Sequence, residues 1–397
     1  MIKINIYLLT IMIFLVFEII NVENLKKRSF YLKNSDFQYM TKGFHKNKPL
    51  KSYLSNFTTN NININYILKD NTYEGAYEII YDKLELLKKE NSDNIDHINT
   101  FEGFLEKYKE EIKKHKSCTP QVFLDIFLQF IEAFNKYRYY SFPNVHRYDE
   151  SLYEWSLNFW SQLIDKKNSK FLGIENIKKI EKWKEEGHNI IIFGNHHIEA
   201  DANIIKYFFD VHGSQDISRN MIFIGGHKIR TDPLSRPFSV AANLLCIYSK
   251  KYIENPPHLK EEKILFNHKS LNALRNLFNQ GKQIIWLAPS GGRDRKGSDG
   301  HIKISPFDPK IIQTFHIFAK RSKVKTHFIG LALYTYNICP PPNTIDIDEI
   351  EKTRSCSYSS VSLNLGEDIF DLYPDMKESE ITKNLYNYVN QLYDQIR

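Results

Sequence analysis

The chain has few cysteines and no long apolar run, and each shortage excludes a class of protein. Four cysteines occur among 397 residues, at positions 118, 246, 339 and 356, and no two of them form a C-x-x-C pair. This excludes a disulfide scaffold and a zinc ribbon, and it predicts a reducing or neutral compartment. The apolar core near the N-terminus, residues 6–17, has 12 residues, whereas a membrane-spanning helix takes about 20.

Excess positive charge is also scarce over most of the chain. The formal net charge is +7, but residues 1–50 carry eight Lys or Arg against three Asp or Glu, which is +5. The other 347 residues therefore carry only +2. A nucleic-acid-binding protein needs a basic surface, so we expect no nucleic-acid partner.

Two different segments make up the N-terminal leader. Residues 1–22 place one early lysine before the apolar core, like a signal peptide, although no A-x-A-like cleavage site follows. Residues 23–71 are basic and poor in acids at first, then rich in asparagine, like a transit peptide. Together they predict import into an apicoplast-like plastid and a soluble, stroma-like compartment. Simple secretion and an uncleaved membrane anchor are the alternatives.

The hydrophobic pattern changes once along the rest of the chain. Residues 72–142 are helical in pattern, with Phe123, Phe127, Phe130 and Phe134 at helical spacing, and they predict a small bundle domain. In residues 143–397, short apolar runs alternate with amphipathic helices, which is typical of parallel strands buried on both faces. We therefore predict an α/β fold: an open mixed, largely parallel sheet flanked by helices, preceded by an N-terminal helical bundle.

Residues 193–201, FGNHHIEAD, concentrate polar groups after one of these apolar runs. The pattern predicts a strand, a turn that contains His196, and a helix that begins near Glu199 and includes Asp201. Such a turn brings His196 and Asp201 together, so that the carboxylate orients the imidazole as a general base. We expect His197 to be a packed or solvent-facing neighbour.

Two other interpretations of the histidines are weaker. The same H-x4-D spacing occurs at His227 and Asp232, where the sequence TDP is more typical of a helix cap with Pro233 at the first position. A metal site is disfavoured, because adjacent histidines on one turn point apart and no H-x-H or H-x-x-x-H partner accompanies them. We expect no metal and no cofactor.

Two more polar turns follow apolar runs. In residues 286–300, Ser290, Gly291 and Gly292 precede Arg293 and Arg295. In residues 248–252, two lysines follow another apolar run. Glycines let a backbone approach a ligand closely, and arginine suits phosphate. Each turn alone is more often a solvated loop, but turns after parallel strands share one sheet edge. Together they predict a pocket with a base and an anion site.

Four ordered blocks carry a family resemblance. They are NHHIEAD (195–201), TDPLSRPFSVAANLLCIYSKK (231–251), LAPSGGRDR (287–295) and CPPP (339–342). Over about residues 75–395 the chain resembles the plastidial, soluble, acyl-carrier-protein-dependent glycerol-3-phosphate acyltransferases. The resemblance implies that His196 and Asp201 are catalytic. It also implies glycerol-phosphate binding by Lys251, Arg293, Arg295 and Tyr252, and supporting turns at Asn195, Glu199, Ser290, Gly291 and Gly292.

Three departures from the family pattern lie in or near these blocks. Tyr252 stands where the family has a histidine of the phosphate pocket, and His197 stands where the family often has glutamine. Gly330 stands where a proline usually precedes LAL, which is expected to alter the wall on the acyl side. None of them changes the proposed base.

The implied reaction moves an acyl group from acyl carrier protein, or from coenzyme A, to the sn-1 hydroxyl of glycerol 3-phosphate. The lysophosphatidate formed is delivered to a membrane, as the first step of phospholipid synthesis. Two alternatives stay open. One is a lysophosphatidate acyltransferase, although such enzymes usually have glutamate where Ser290 stands. The other is a non-catalytic lipid- or phosphate-binding protein.

Overall fold

The structure is a computed structural model that describes residues 68, 70–91, 93, 95–226, 232–249, 253–341 and 355–397. All of them belong to one compact unit, Thr58–Arg397. The predicted signal-like segment and nearly all of the transit-like leader lie outside the described residues.

Twelve α-helices occur within the described residues. They are α1 Tyr73–Glu90, α2 Ile95–His115, α3 Pro120–Lys136, α4 Glu150–Ser161, α5 Glu175–Glu185, α6 Asp201–Val211, α7 Gln215–Asn220, α8 Arg236–Val240, α9 Lys260–Gln280, α10 Pro309–Ser322, α11 Ile369–Leu372 and α12 Ile381–Asp394. The described strands are β1 Val145–His146, β2 Lys170–Leu172, β3 Asn189–Gly194, β4 Ile222–Gly225, β5 Asn243–Cys246, β6 Ile284–Leu287, β7 Thr326–Tyr334 and β8 Ser362–Asp368.

The strands form one eight-stranded sheet in the order β1-β5-β4-β6-β3-β7-β8-β2. Neighbours are parallel from β5 through β4, β6 and β3 to β7, and also between β8 and β2. The pairs β1–β5 and β7–β8 are antiparallel. The prediction of an α/β fold with an open, mixed sheet is confirmed, and the two antiparallel pairs lie toward the sheet's edges.

Strand β3 lies near the centre of the sheet and is buried on both faces. All six of its residues are buried. Because successive side chains of a strand point to opposite faces, Ile190 and Ile192 join one core cluster and Ile191 and Phe193 join the other. This explains the continuous apolar run, which a strand exposed on one face would not need.

The N-terminal helices α1–α3 pack onto the sheet's helical layer. The four phenylalanines of the predicted stripe are buried, and the Thr119 side chain caps α3 by accepting from the backbone amide of Val122 at 3.3 Å. Tyr108 donates to the carbonyl of Phe159 at 2.6 Å, and Trp155 donates to that of Ile126 at 2.8 Å. The helices are confirmed, whereas their status as a separate domain stays a prediction.

Helix α12 packs over β7 and β8 close to Gly330, which is one of the departures from the family pattern. A Cβ at Gly330 would lie 3.1 Å from side-chain atoms of both Tyr388 and Val389. The structure therefore places Gly330 beneath the C-terminal helix, where a small residue lets the helix approach the sheet.

Candidate active site

The parallel strands bring the predicted polar turns to one edge of the sheet. Strands β5, β6 and β3 run in the same direction, and their carboxyl ends lead into the three turns identified above. In open α/β sheets this edge is where ligands bind.

Two residues anchor the turn after β3. A Cβ at Gly194 would lie only 2.7 Å from the carbonyl oxygen of Leu331 in β7, so a larger residue would push the strands apart. The buried Asn195 side chain makes two hydrogen bonds to Leu333, accepting from its amide at 2.8 Å and donating to its carbonyl at 2.9 Å. The turn is thereby fixed to β7.

The predicted base and its partner are in contact. The Nδ1 atom of His196 lies 2.8 Å from Oδ2 of Asp201. The His196 side chain is 26% exposed, whereas that of Asp201 is 1% exposed. The helix begins at Asp201 itself, two residues later than the sequence predicts.

Several donors surround the Asp201 carboxylate. Its Oδ2 also accepts from the amides of His197 at 2.7 Å and Ile198 at 3.1 Å, and its Oδ1 accepts from the Thr335 hydroxyl at 2.5 Å. Burial by itself would raise the Asp201 pKa, but the hydrogen bond from His196 and the other donors bring the pKa below its ordinary value. An ionised carboxylate only accepts, so Nδ1 of His196 carries a proton that it donates to Asp201.

His197 is a packed neighbour of His196, and not the solvent-facing residue that was the other expectation. It is fully buried, and its Nδ1 accepts from the backbone amide of Thr335 at 3.2 Å. Burial lowers the His197 pKa to about 4, so this ring is neutral at pH 7.

The loop after β6 lies directly against this turn. The backbone amide of Asp294 donates to the carbonyl of His196 at 2.6 Å. Arg293 donates to Glu199 at 3.2 Å, and Arg295 donates to the carbonyl of Arg293 at 3.1 Å. The predicted arginines and the predicted base therefore lie on two joined segments.

The glycines of this loop leave space beside the backbone. Gly291 has φ +71°, a conformation that favours glycine, and its amide donates to the carbonyl of Ala288 at 3.0 Å. A Cβ built at Gly291 or Gly292 would meet no atom within 4 Å. The Ser290 hydroxyl donates to the carbonyl of Gly292 at 3.1 Å. The loop thus has an open face beside the arginines.

Some predicted residues lie outside the described part of the chain. Lys251 and Tyr252 are among them, as is His227 of the second H-x4-D match. Asp232 of that match is described, and its carboxylate accepts from the Leu234 amide at 3.0 Å. This is a turn contact, and helix α8 begins only at Arg236.

Sequence reasoning missed Thr335 and Asp294. Thr335 follows the last residue of β7, at the same sheet edge as the other turns, so its place after an apolar run was a usable signal. Asp294 lies between the two predicted arginines, and its carboxylate is fully buried. Within the described residues, no group of three or more His, Cys, Asp or Glu is placed to hold a metal ion.

The central part of the chain is similar to a known protein family. Residues 168–327 match the family model described as Acyltransferase. The matched region includes the His196–Asp201 pair and both arginines, and it ends in β7 before Thr335. No helix in the described ranges has the length and apolar composition that a membrane crossing requires.

Several curated proteins are similar over a longer stretch. The chain is 37% identical over 254 residues to chloroplastic glycerol-3-phosphate acyltransferase ATS11 of Cucurbita moschata, covering 62% of this chain and 56% of that protein. It is 34% identical over 267 residues to the chloroplastic glycerol-3-phosphate acyltransferase of Spinacia oleracea (64% and 56%) and 31% identical over 286 residues to that of Pisum sativum (70% and 60%). The chain thus spans somewhat more than half the length of these relatives.

Proposed function

We propose that this protein is a glycerol-3-phosphate 1-O-acyltransferase. It transfers an acyl group from acyl carrier protein, or from coenzyme A, to the sn-1 hydroxyl and forms lysophosphatidate. The observation that carries the proposal is the His196–Asp201 pair, at 2.8 Å, joined through the Asp294 amide to the loop that bears Arg293 and Arg295. The names of the relatives support glycerol 3-phosphate as the acceptor.

The proposed mechanism is a direct transfer. Nε2 of His196 takes the proton from the acceptor hydroxyl, and the ionised Asp201 stabilises the imidazolium that forms. The hydroxyl oxygen bonds to the thioester carbonyl carbon, the carbon–sulfur bond breaks, and the thiolate takes the proton from His196. The substrate's own hydroxyl attacks, so the reaction needs no serine or cysteine nucleophile.

The proposed acceptor site holds the phosphate beside the base. Arg293 and Arg295 of the described loop, with Lys251 and Tyr252, are the proposed phosphate ligands. Arg293 already pairs with Glu199, which in turn accepts from the Ser235 hydroxyl at 3.1 Å. This pairing holds the guanidinium at the sheet edge, and its planar fork presents several donors to an anion.

The proposed cellular setting follows the relatives and the leader. The relatives are named chloroplastic, and the predicted signal-plus-transit leader directs this chain to an apicoplast-like plastid. There it would act as a soluble enzyme, take acyl groups from acyl carrier protein and deliver lysophosphatidate to a membrane. The helical bundle of residues 72–142 and the catalytic domain of residues 143–397 are the proposed divisions of the mature chain.

The first test removes the base. Full-length wild type and His196→Ala receive labelled glycerol 3-phosphate with palmitoyl-acyl carrier protein or palmitoyl-coenzyme A. Since a general base contributes about 10²–10⁴-fold, His196→Ala should lose at least a hundredfold in kcat at unchanged thermal stability. The matched control is His258→Ala, because His258 is an exposed histidine in a short helix, Pro257–Leu259.

Other outcomes identify the alternatives. Equal product from wild type and His196→Ala would remove His196 as the base. Product formed from labelled lysophosphatidate, and none from glycerol 3-phosphate, would make the protein a lysophosphatidate acyltransferase. No product from folded wild type with either acceptor would indicate a non-catalytic lipid- or phosphate-binding protein.

A further inference from the structure

Asp294 is a buried carboxylate set between the two arginines of the proposed phosphate site. Its side chain is 0% exposed, while the neighbouring Arg293 and Arg295 are partly exposed. Its Oδ1 accepts from the backbone amide of Ser305 at 2.8 Å, and its own amide donates to the carbonyl of His196. Asp294 therefore contacts both the turn that contains His196 and, at Ser305, the segment that follows the loop bearing the two arginines.

The second carboxylate oxygen faces His197. Oδ2 of Asp294 lies 3.9 Å from Nε2 of His197, which is beyond hydrogen-bonding distance, and no described residue hydrogen-bonds to it. Because Nδ1 of His197 accepts from the Thr335 amide, the proton of this neutral ring is on Nε2. That N–H lies between Asp294 Oδ2 and the Tyr393 hydroxyl, which is 3.5 Å away.

Thr335 extends this contact to the catalytic pair. Its amide donates to His197 and its hydroxyl donates to Asp201, which in turn holds His196. Two routes therefore join the arginine loop to the base. One is the direct hydrogen bond from the Asp294 amide. The other is the 3.9 Å contact of the Asp294 carboxylate with His197, followed by the hydrogen bonds of Thr335 to His197 and Asp201.

Asp294 is an unfavourable residue for a purely structural position. Burying a carboxylate is costly, and burial raises the Asp294 pKa, while the backbone and side chain of Ser305, the nearby His196 and the Asn195 side chain oppose that rise. Asparagine has the same shape but cannot replace the carboxylate fully. Two of the groups that face the carboxylate, the Ser305 amide and the His197 Nε2–H, are donors, and an asparagine would present an NH2 group to one of them.

We propose that Asp294 is the positioning residue that holds the phosphate-binding arginines in register with the general base. This inference rests on the proposed function. An acceptor whose phosphate is held by the arginines then presents its hydroxyl to His196, and a shift between the two segments misaligns the hydroxyl without releasing the phosphate. A displacement of about 1 Å can lower turnover about 10²-fold.

The test is a double-mutant cycle in the full-length chain with Asp294→Asn, His197→Gln and the double variant. Asp294→Asn should lower kcat about tenfold to a hundredfold, while the KM for glycerol 3-phosphate changes less than about threefold. If Asp294 acts through His197, the kcat loss of the double variant is smaller than the product of the two single losses. The matched control is Asp299→Asn, because Asp299 lies in the same loop, pairs with Lys303 and is exposed.

Four other results would overturn the inference, a part of it, or the proposed function. Wild-type kcat in Asp294→Asn with an active wild type would overturn this inference alone. A lower thermal stability with unchanged kcat and KM would also overturn it, since that is the result of a purely structural role. Losses that multiply in the double variant would overturn the route through His197. A folded wild type that makes no product would overturn the proposed function and this inference together.

Discussion

Thr335 shows how a single residue sets the geometry of the base. Its hydroxyl donates to Oδ1 of Asp201 at 2.5 Å, which leaves Oδ2 for His196 and for two backbone amides. A carboxylate held at both oxygens has one orientation. The proposed base is therefore oriented by a hydroxyl that bonds to the other oxygen of Asp201.

We predict that Thr335→Val lowers kcat about tenfold or more, because a hydrogen bond to a charged group contributes about 1.5–3 kcal/mol. Valine keeps the shape and removes the donor, whereas Thr335→Ser keeps the donor and should retain most of the activity. Steady-state kcat and thermal unfolding of both variants check this. Thr314→Val in α10, where the threonine only donates to Lys310, is the control. Equal kcat in Thr335→Val and wild type would contradict the prediction.

At this scale the sequence predicted the partner of a single side chain only between near neighbours, although it placed the distant polar turns at one sheet edge. His196 and Asp201 lie five residues apart, so a turn and a helix start suffice to join them. The Thr335 contact with Asp201 spans 134 residues and exists because β3 and β7 are neighbours in the sheet. No local pattern specifies which strands pair, and this is why Thr335 was missed.

Among the elements, the strands with continuous apolar runs were predictable and β8 was not. The runs that became β3, β4, β5, β6 and β7 are confirmed as strands. In β8, Asn364 and Gly366 interrupt the apolar pattern, and both face α12. Asn364 donates to the Leu392 carbonyl at 3.1 Å, and a Cβ at Gly366 would lie 2.6 Å from the Tyr388 ring. Contacts with α12 explain why an asparagine and a glycine occur at these two positions. Since such contacts are not visible in the sequence, the two residue types did not indicate a strand.

We predict that Gly194→Ala destabilises the junction of β3 and β7. The added Cβ would lie 2.7 Å from the Leu331 carbonyl oxygen, a backbone atom that cannot move without shifting the strand. Overpacking of this kind typically costs about 1–3 kcal/mol. Gly226→Ala, directly after the end of β4, has open space and should stay within about 0.5 kcal/mol of wild type. Urea unfolding of both variants measures the difference, and equal stabilities would contradict it.

Over the whole molecule, one core joins the N-terminal helices to the sheet. The cluster that contains Ile190 and Ile192 of β3 also contains residues of α1, α2 and α3. The sequence predicted two hydrophobic patterns: a helical pattern in residues 72–142, and short apolar runs alternating with amphipathic helices in residues 143–397. Which faces meet depends on contacts between distant segments, such as Trp155 with Ile126, so the pattern of either half alone does not reveal the shared core.

A buried cation lies in the helical layer beside this core. Lys206, in the helix that begins at Asp201, is 1% exposed. Its Nζ donates to the Ala241 carbonyl at 2.9 Å and to the Ser156 hydroxyl at 3.3 Å, and it lies 4.6 Å from the centre of the Tyr153 ring. Burial is the largest influence and lowers the Lys206 pKa to about 7, although Asp210 and Glu154 act in the opposite direction to burial and Arg219 adds to it.

We therefore predict that Lys206 makes the stability of the protein depend on pH. An unfolded lysine has a pKa of about 10.4, so between pH 7 and 10 the unfolded chain binds one more proton than the folded chain, and the free energy of unfolding rises with pH. The destabilising contribution is complete below pH 7. Lys206→Met lacks it, so the stability of this variant relative to wild type should fall by about 2 kcal/mol from pH 7 to pH 9. Urea unfolding of both proteins at the two pH values measures this difference, in which the titration of other groups cancels. A stability difference that is the same at both pH values would mean that Lys206 stays charged in the folded protein.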